Sequence, residues 1–87
     1  MLLKVDQQFG IDMAKLGIED KKLAYKVWDL VLDILKTPFS GIGKPEALKG
    51  DMSGYWSRRI NQKHRLIYKV AETTVFLVSC YGHYDDN

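Results

Sequence analysis

Residues 55–80, YWSRRINQKHRLIYKVAETTVFLVSC, decide the fold. Three runs rich in β-branched and aromatic residues lie within it, at 55–61, 64–70 and 74–80. Such runs read as strands, and the short gap at Gln62-Lys63 reads as a hairpin. Glu72-Thr73 makes the next turn. Closely spaced strands joined by short turns are antiparallel neighbours. A further strand is expected at 46–50, before the Ser53-Gly54 turn, and a short first strand at 2–5.

The amino-terminal third has a different period. Leu23, Val27, Leu30, Val31, Ile34 and Leu35 recur at helical spacing, with Lys22, Lys26, Asp29, Asp33 and Lys36 on the other side. Asp20 caps this helix, and Thr37-Pro38 ends it because a residue before proline avoids the helical region. Residues 7–16 form a shorter helix, weakened by Gly10 and stopped at Gly17. Residues 38–45, PFSGIGKP, are a loop punctuated by two glycines and two prolines. Gly41-Ile42-Gly43-Lys44 lacks the spacing of a phosphate loop, which excludes that mode of nucleotide binding. The expected architecture is α+β, with two helices on one face of a mainly antiparallel sheet of four to five strands.

Side chains alternate across a strand. Trp56, Arg58 and Ile60 share one face of their run, leaving Tyr55, Ser57, Arg59 and Asn61 on the other. His64, Leu66, Tyr68 and Val70 share a face, leaving Arg65, Ile67 and Lys69 opposite. The more apolar sets are expected to pack on the helices. For the last strand that means Phe76, Val78 and Cys80; Ser79 has the other parity, which continues to Tyr81 and His83. The open face then gathers Arg59, Arg65 and His83. Arg58 falls on the helix side, where its stem is expected to snorkel past the core edge. His64 is expected as a structural histidine at that edge, and Cys80 as a small buried hydrophobe.

The 87 residues make one domain, 1–87, carrying a net charge of +2. The charge is unevenly spread. Residues 1–40 are neutral, whereas 41–69 carry seven cations against two carboxylates, a net of +5. A basic segment of this kind suits a phosphate-bearing partner. A single cysteine excludes an internal disulfide. No segment approaches the ~20 apolar residues of a membrane span, and no signal peptide is read at the start. A reducing cytoplasm is the expected setting.

The run Thr37-Pro38-Phe39-Ser40-Gly41-Ile42-Gly43-Lys44-Pro45-Glu46-Ala47-Leu48-Lys49 resembles a motif of the YoeB (Txe) toxins, in the RelE/ParE superfamily of toxin–antitoxin proteins. The resemblance continues through Ser53–Ile60 and His64–Tyr68 to His83-Tyr84. It implies the RelE/ParE-like fold and an endoribonuclease that cuts messenger RNA on the ribosome without a metal or cofactor. It implies Glu46 as general base, His83 as general acid, and Arg65 and Arg59 on the scissile phosphate. Lys49 would add a point charge, and Tyr84 would stack on a base. The implied partners are an antitoxin of the YefM/Phd group, the ribosome with its message, and a second copy of the chain. Two other readings stay open. One is a ParE-like gyrase inhibitor, a branch that generally lacks this Glu, Arg and His-Tyr set. The other is a catalytically weak toxin-fold protein kept as antitoxin partner and co-repressor.

Overall fold

Asp20 sets the geometry of the helical layer. Its N–H donates to Leu16 C=O at 2.8 Å, closing α1 (Gln7–Glu19), and its carboxylate accepts from Lys22 N–H at 3.0 Å, capping α2 (Lys21–Lys36). One residue therefore ends one helix and starts the next. α1 continues through Gly17 instead of stopping there, since a helix-interior glycine costs only about 1 kcal/mol and the Asp20 bond secures the last turn. Asp6 caps the start of α1 through Gln8 N–H at 2.8 Å.

The computed structural model describes residues 1–82. β1 is Leu2–Val5, β2 Glu46–Ala47, β3 Tyr55–Arg59, β4 Arg65–Ala71 and β5 Thr74–Ser79. They form one five-stranded sheet in the order β1-β5-β4-β3-β2. β1 pairs with β5 in parallel, and the other pairs are antiparallel. The fold is thus the expected α+β arrangement. β2 is shorter than the expected 46–50, because the chain turns into a 3₁₀ segment at Gly50–Met52. β3 stops at Arg59 because Asn61 Oδ1 accepts from the N–H groups of Lys63 and His64, at 2.9 and 2.7 Å, and bends the chain into the hairpin.

The core lies between the helices and one face of the sheet. Phe9, Leu16, Val27, Leu30, Val31 and Ile34 meet Ile60, Leu66, Tyr68, Val75, Leu77 and Cys80. Phe76 and Val78 are not among them, contrary to the alternation read from the sequence. Tyr68 pairs with Leu77 but Ile67 pairs with Ser79, so the register slips by one residue at Val78. A β-bulge leaves one residue unpaired and inverts the parity beyond it. Val75 and Leu77 therefore face the helices, Phe76 faces away, and Cys80 still reaches the core. Burial pushes the Cys80 thiol up to about 12, helped by the nearby Asp12 carboxylate.

Arg58 departs further from expectation. It does not snorkel outward: its side chain is fully buried. All five guanidinium N–H groups find acceptors. Nε donates to Tyr68 Oη (3.2 Å), and Nη1 donates to the Asp33 carboxylate and to Ile42 C=O (3.1 Å). Nη2 donates to the carbonyls of Thr37 (2.6 Å) and Ser40 (2.8 Å). The 37–44 loop is thereby a socket that fastens the end of α2 to β3. Its glycines are there for space. A Cβ at Gly43 (φ +79°) would sit 2.8 Å from Leu30 Cδ2 and 3.2 Å from Arg58 Cβ, and one at Gly41 (φ +114°) would overlap the Asp33 carboxylate.

Candidate active site

The socket has a consequence on the far side of the sheet. With Arg58 drawn toward the helices, its neighbour Arg59 must point to the opposite face. Arg59 N–H donates to Gly43 C=O at 2.7 Å, so the same loop fixes the backbone from which this side chain projects.

The strand register assembles the rest. Arg59 and Arg65 are Cα partners across β3 and β4, so their side chains share a face, as the sequence alternation requires. Glu46 is the partner of Ser57, two residues before Arg59, which puts its side chain on that face too. Directly opposed side chains have Cβ atoms about 5 Å apart, and diagonal neighbours about 7–8 Å. Arg59 is directly opposite Arg65 and diagonal to Glu46. A carboxylate and two guanidiniums from three adjacent strands thus share one face of the sheet, with Arg59 between Glu46 and Arg65.

Two like charges set directly opposite each other are destabilising in a sheet. Arg65 is held in place regardless. Its Nη1 donates to Asn61 C=O at 2.9 Å and to His64 C=O at 3.3 Å. Arg59 is exposed, and among the described residues its side chain makes no hydrogen bond or ion pair. Both arginines line an open cleft of about 370 Å³ together with Lys26, Ile60, Asn61 and Gln62. Three of these six residues are cationic and none is acidic, which suits an anion. Guanidinium forks can grip a phosphate through two oxygens at once.

Glu46 does not line this cleft, whereas Lys26, on α2, does. The helical pattern assigns it only to the polar side of α2, and nothing in the sequence aims it at the β3–β4 hairpin. Lys49 follows β2 and precedes the 3₁₀ segment, one strand out from the arginines. His83 and Tyr84, the remaining expected site residues, lie outside the described residues.

His64 is buried, as expected for a structural residue. Its Nε2 lies 2.8 Å from Glu19 Oε2, and its Nδ1 accepts from Gly82 N–H at 2.9 Å. This pattern leaves the ring proton on Nε2. The hydrogen bond from His64 holds the Glu19 carboxyl below its ordinary range against the opposing effect of burial, with help from Tyr81 Oη and the Lys63 charge. Nothing in the sequence singles out Glu19, which stands 45 positions from its partner.

A model of the YoeB-like toxins of bacterial type II toxin–antitoxin systems matches residues 6–84, taking in both helices as well as the motif-bearing sheet. The chain is similar to a toxin YoeB of Synechocystis sp., 52% identical over 65 residues that make up 75% of this chain and 76% of that one. Its structure is similar to a YoeB/ParE toxin from Agrobacterium tumefaciens, with a TM-score of 0.90 and 40% identity over 97% of this chain and 100% of that one. It is also similar to a chain of a heterotetrameric YoeB–YefM toxin–antitoxin complex from Staphylococcus aureus, with a TM-score of 0.84 and 38% identity over 97% and 99% of the two chains.

Proposed function

The chain belongs to the YoeB-like toxins of bacterial type II toxin–antitoxin systems, and from that membership we propose that it is a ribosome-dependent endoribonuclease of messenger RNA. The observation that carries this reading is the cross-strand pairing of Arg59 with Arg65, with Glu46 diagonal to Arg59 on the same face.

RNA brings its own nucleophile. Glu46 takes the proton of the 2′-hydroxyl, and the 2′-oxygen forms a bond to phosphorus. The bond from phosphorus to the 5′-oxygen breaks, and His83 gives that oxygen its proton. The products are a 2′,3′-cyclic phosphate and a 5′-hydroxyl, with no net change in protons across the base and acid. Proton transfer by a placed group is worth about 10²–10⁴-fold in rate. Arg65 and Arg59 neutralise the charge that builds on the phosphoryl oxygens. Lys49 adds to that field. Tyr84 stacks on an unpaired base, a contact worth about 1–3 kcal/mol. The ribosome supplies a message already ordered for in-line attack. No metal or other cofactor takes part in this scheme, and the working place is the cytoplasm, where the ribosomes are.

The antitoxin would be a YefM/Phd-like protein whose disordered segment folds over the basic cleft. The Staphylococcus aureus relative solved with YefM supports that choice. A homodimer of the toxin completes the set of partners. End-group analysis of RNA cut by the purified chain on ribosomes tests the chemistry. Cyclic phosphate and 5′-hydroxyl ends are expected, with cutting abolished in His83→Ala and Arg65→Ala; 5′-phosphate ends would refute it.

A further inference from the structure

The three residues that lead into His83 are each held by a separate polar contact. Cys80 N–H donates to the buried Asp12 carboxylate at 2.9 Å. Tyr81 Oη donates to Glu19 Oε1 at 3.2 Å, and the Tyr81 ring lies on the His64 ring with centroids 4.3 Å apart. Gly82 N–H donates to His64 Nδ1, while Gly82 C=O accepts from Arg65 N–H at 2.9 Å. Asp12 and Glu19 are seven residues apart on α1, hence on one helical face. The last strand residue of β5 is Ser79, so these contacts take over where the sheet ladder ends.

Packing alone does not call for this arrangement. A fully buried imidazole is costly unless both ring nitrogens are satisfied, whereas the Glu19 carboxylate is exposed and can be met by water. Here both ring nitrogens are used, one on α1 and one on the peptide that precedes the candidate acid. The same residue's C=O accepts from Arg65 Nη1. His64 thus touches the chain leading to one candidate catalytic group and the side chain of another.

We propose that Glu19 and His64 are positioning residues of the nuclease site, which fix the Gly82 backbone and hold it in register with Arg65. This inference rests on the nuclease reading above. Neither residue touches substrate. They act by keeping the Gly82 backbone and the phosphate-binding Arg65 in one frame, and a misplacement of about 1 Å in such a frame can cost about 100-fold in rate.

The two amides that mimic halves of an imidazole provide the test. Asparagine places an oxygen where Nδ1 was and can still accept from Gly82 N–H. Glutamine places an NH₂ where Nε2–H was and can still donate to Glu19, but offers Gly82 nothing. The full-length chain would be assayed on ribosomes carrying a defined message, under single-turnover conditions, for maximal cleavage rate and for the half-saturating ribosome concentration. Gly82 amide exchange and melting temperature would be measured on the same samples. His64→Gln is expected to lower the maximal rate about 100-fold, leave half-saturation unchanged and speed Gly82 exchange. His64→Asn is expected to recover most of that rate, and Glu19→Gln to lose about tenfold. A folded His64→Gln chain with fast Gly82 exchange and the parental rate would overturn the proposal. So would equal rate losses in both His64 variants that follow melting temperature alone. Should His64→Gln fail to fold, Glu19→Gln decides: the parental rate there overturns it. A parent chain that does not cut the message at all refutes the nuclease reading itself, an outcome told apart by the parent alone.

Discussion

Replacing Arg58 by methionine is the sharpest test of how this fold is held together. Methionine roughly follows the aliphatic stem of arginine and brings no charge. The substitution would strand the Asp33 carboxylate, three carbonyl oxygens and the Tyr68 hydroxyl, all of which now accept from the guanidinium. Breaking a buried ion pair from one side costs about 3–5 kcal/mol. Asp33 keeps 25% of its side chain exposed and can be rehydrated, so the lower end, about 3 kcal/mol, is the expected loss. A chain this size has a total stability of roughly 4–13 kcal/mol, so the change removes a large share of it. Urea unfolding followed by far-ultraviolet circular dichroism would read it as a midpoint lowered by roughly 1–3 M at unchanged slope. Thermal midpoints should fall by about 12–24 °C. A second signature comes from pH. The Arg58 hydrogen bond first, and the Ile42 N–H next, hold Asp33 below its ordinary range. A depressed carboxylate stabilises the fold above its unfolded pKa, and that gain is lost as pH falls through the lower folded value. The parent should show this acid-side loss and Arg58→Met should show less of it. An unchanged urea midpoint with an unchanged slope would refute the account of the socket.

Gly43→Ala should cost about 2–4 kcal/mol by urea unfolding, from the left-handed backbone plus the 2.8 Å approach to Leu30 Cδ2; a loss under about 0.5 kcal/mol would contradict the close approach of loop and helix. Gly17→Ala should instead raise stability by about 0.5–1 kcal/mol, because a Cβ there meets nothing within 4 Å and the position is helical, and a lowered melting temperature would count against it. Cys80, with its thiol pushed up to about 12, should resist iodoacetamide at about pH 8 in the folded chain and react once unfolded in urea; rapid alkylation of the native protein would show that the thiol is not buried as described. Arg59→Ala should lower cleavage about 100-fold or more while changing stability by under about 0.5 kcal/mol, and cleavage at the parental rate would remove Arg59 from the site.

The parts of the molecule that the sequence discloses are those governed by local period. The helical stripe from Leu23 to Leu35 and the two-residue alternation through β3 and β4 are properties of consecutive residues, so the shared face of Arg59 and Arg65 is directly legible. The alternation fails in β5 because a bulge at Val78 is set by pairing with β4, which no residue in β5 announces. The burial of Arg58 is hidden for a related reason. Four of its five acceptors are the Asp33 carboxylate on α2 and the carbonyls of Thr37, Ser40 and Ile42, and composition does not reveal the backbone course that aims those carbonyls inward. The parallel pairing of β1 with β5 and the bond from Glu19 to His64 join segments far apart along the chain, and only the closed fold brings them together. His83 and Tyr84 rest on the motif alone and lie outside the described residues.

The strand order also bears on how such a protein is made. β5 sits between β1 and β4, so β1 must wait for a segment made much later in the chain before it can pair. Until residues 74–79 are available, β1 has no neighbour and one edge of β4 is bare. A nascent chain halted before that point could not close the layer that carries Arg65. The sheet is thus completed from the two ends of the chain at once, and neither β1 nor β4 has its full set of neighbours until β5 is in place.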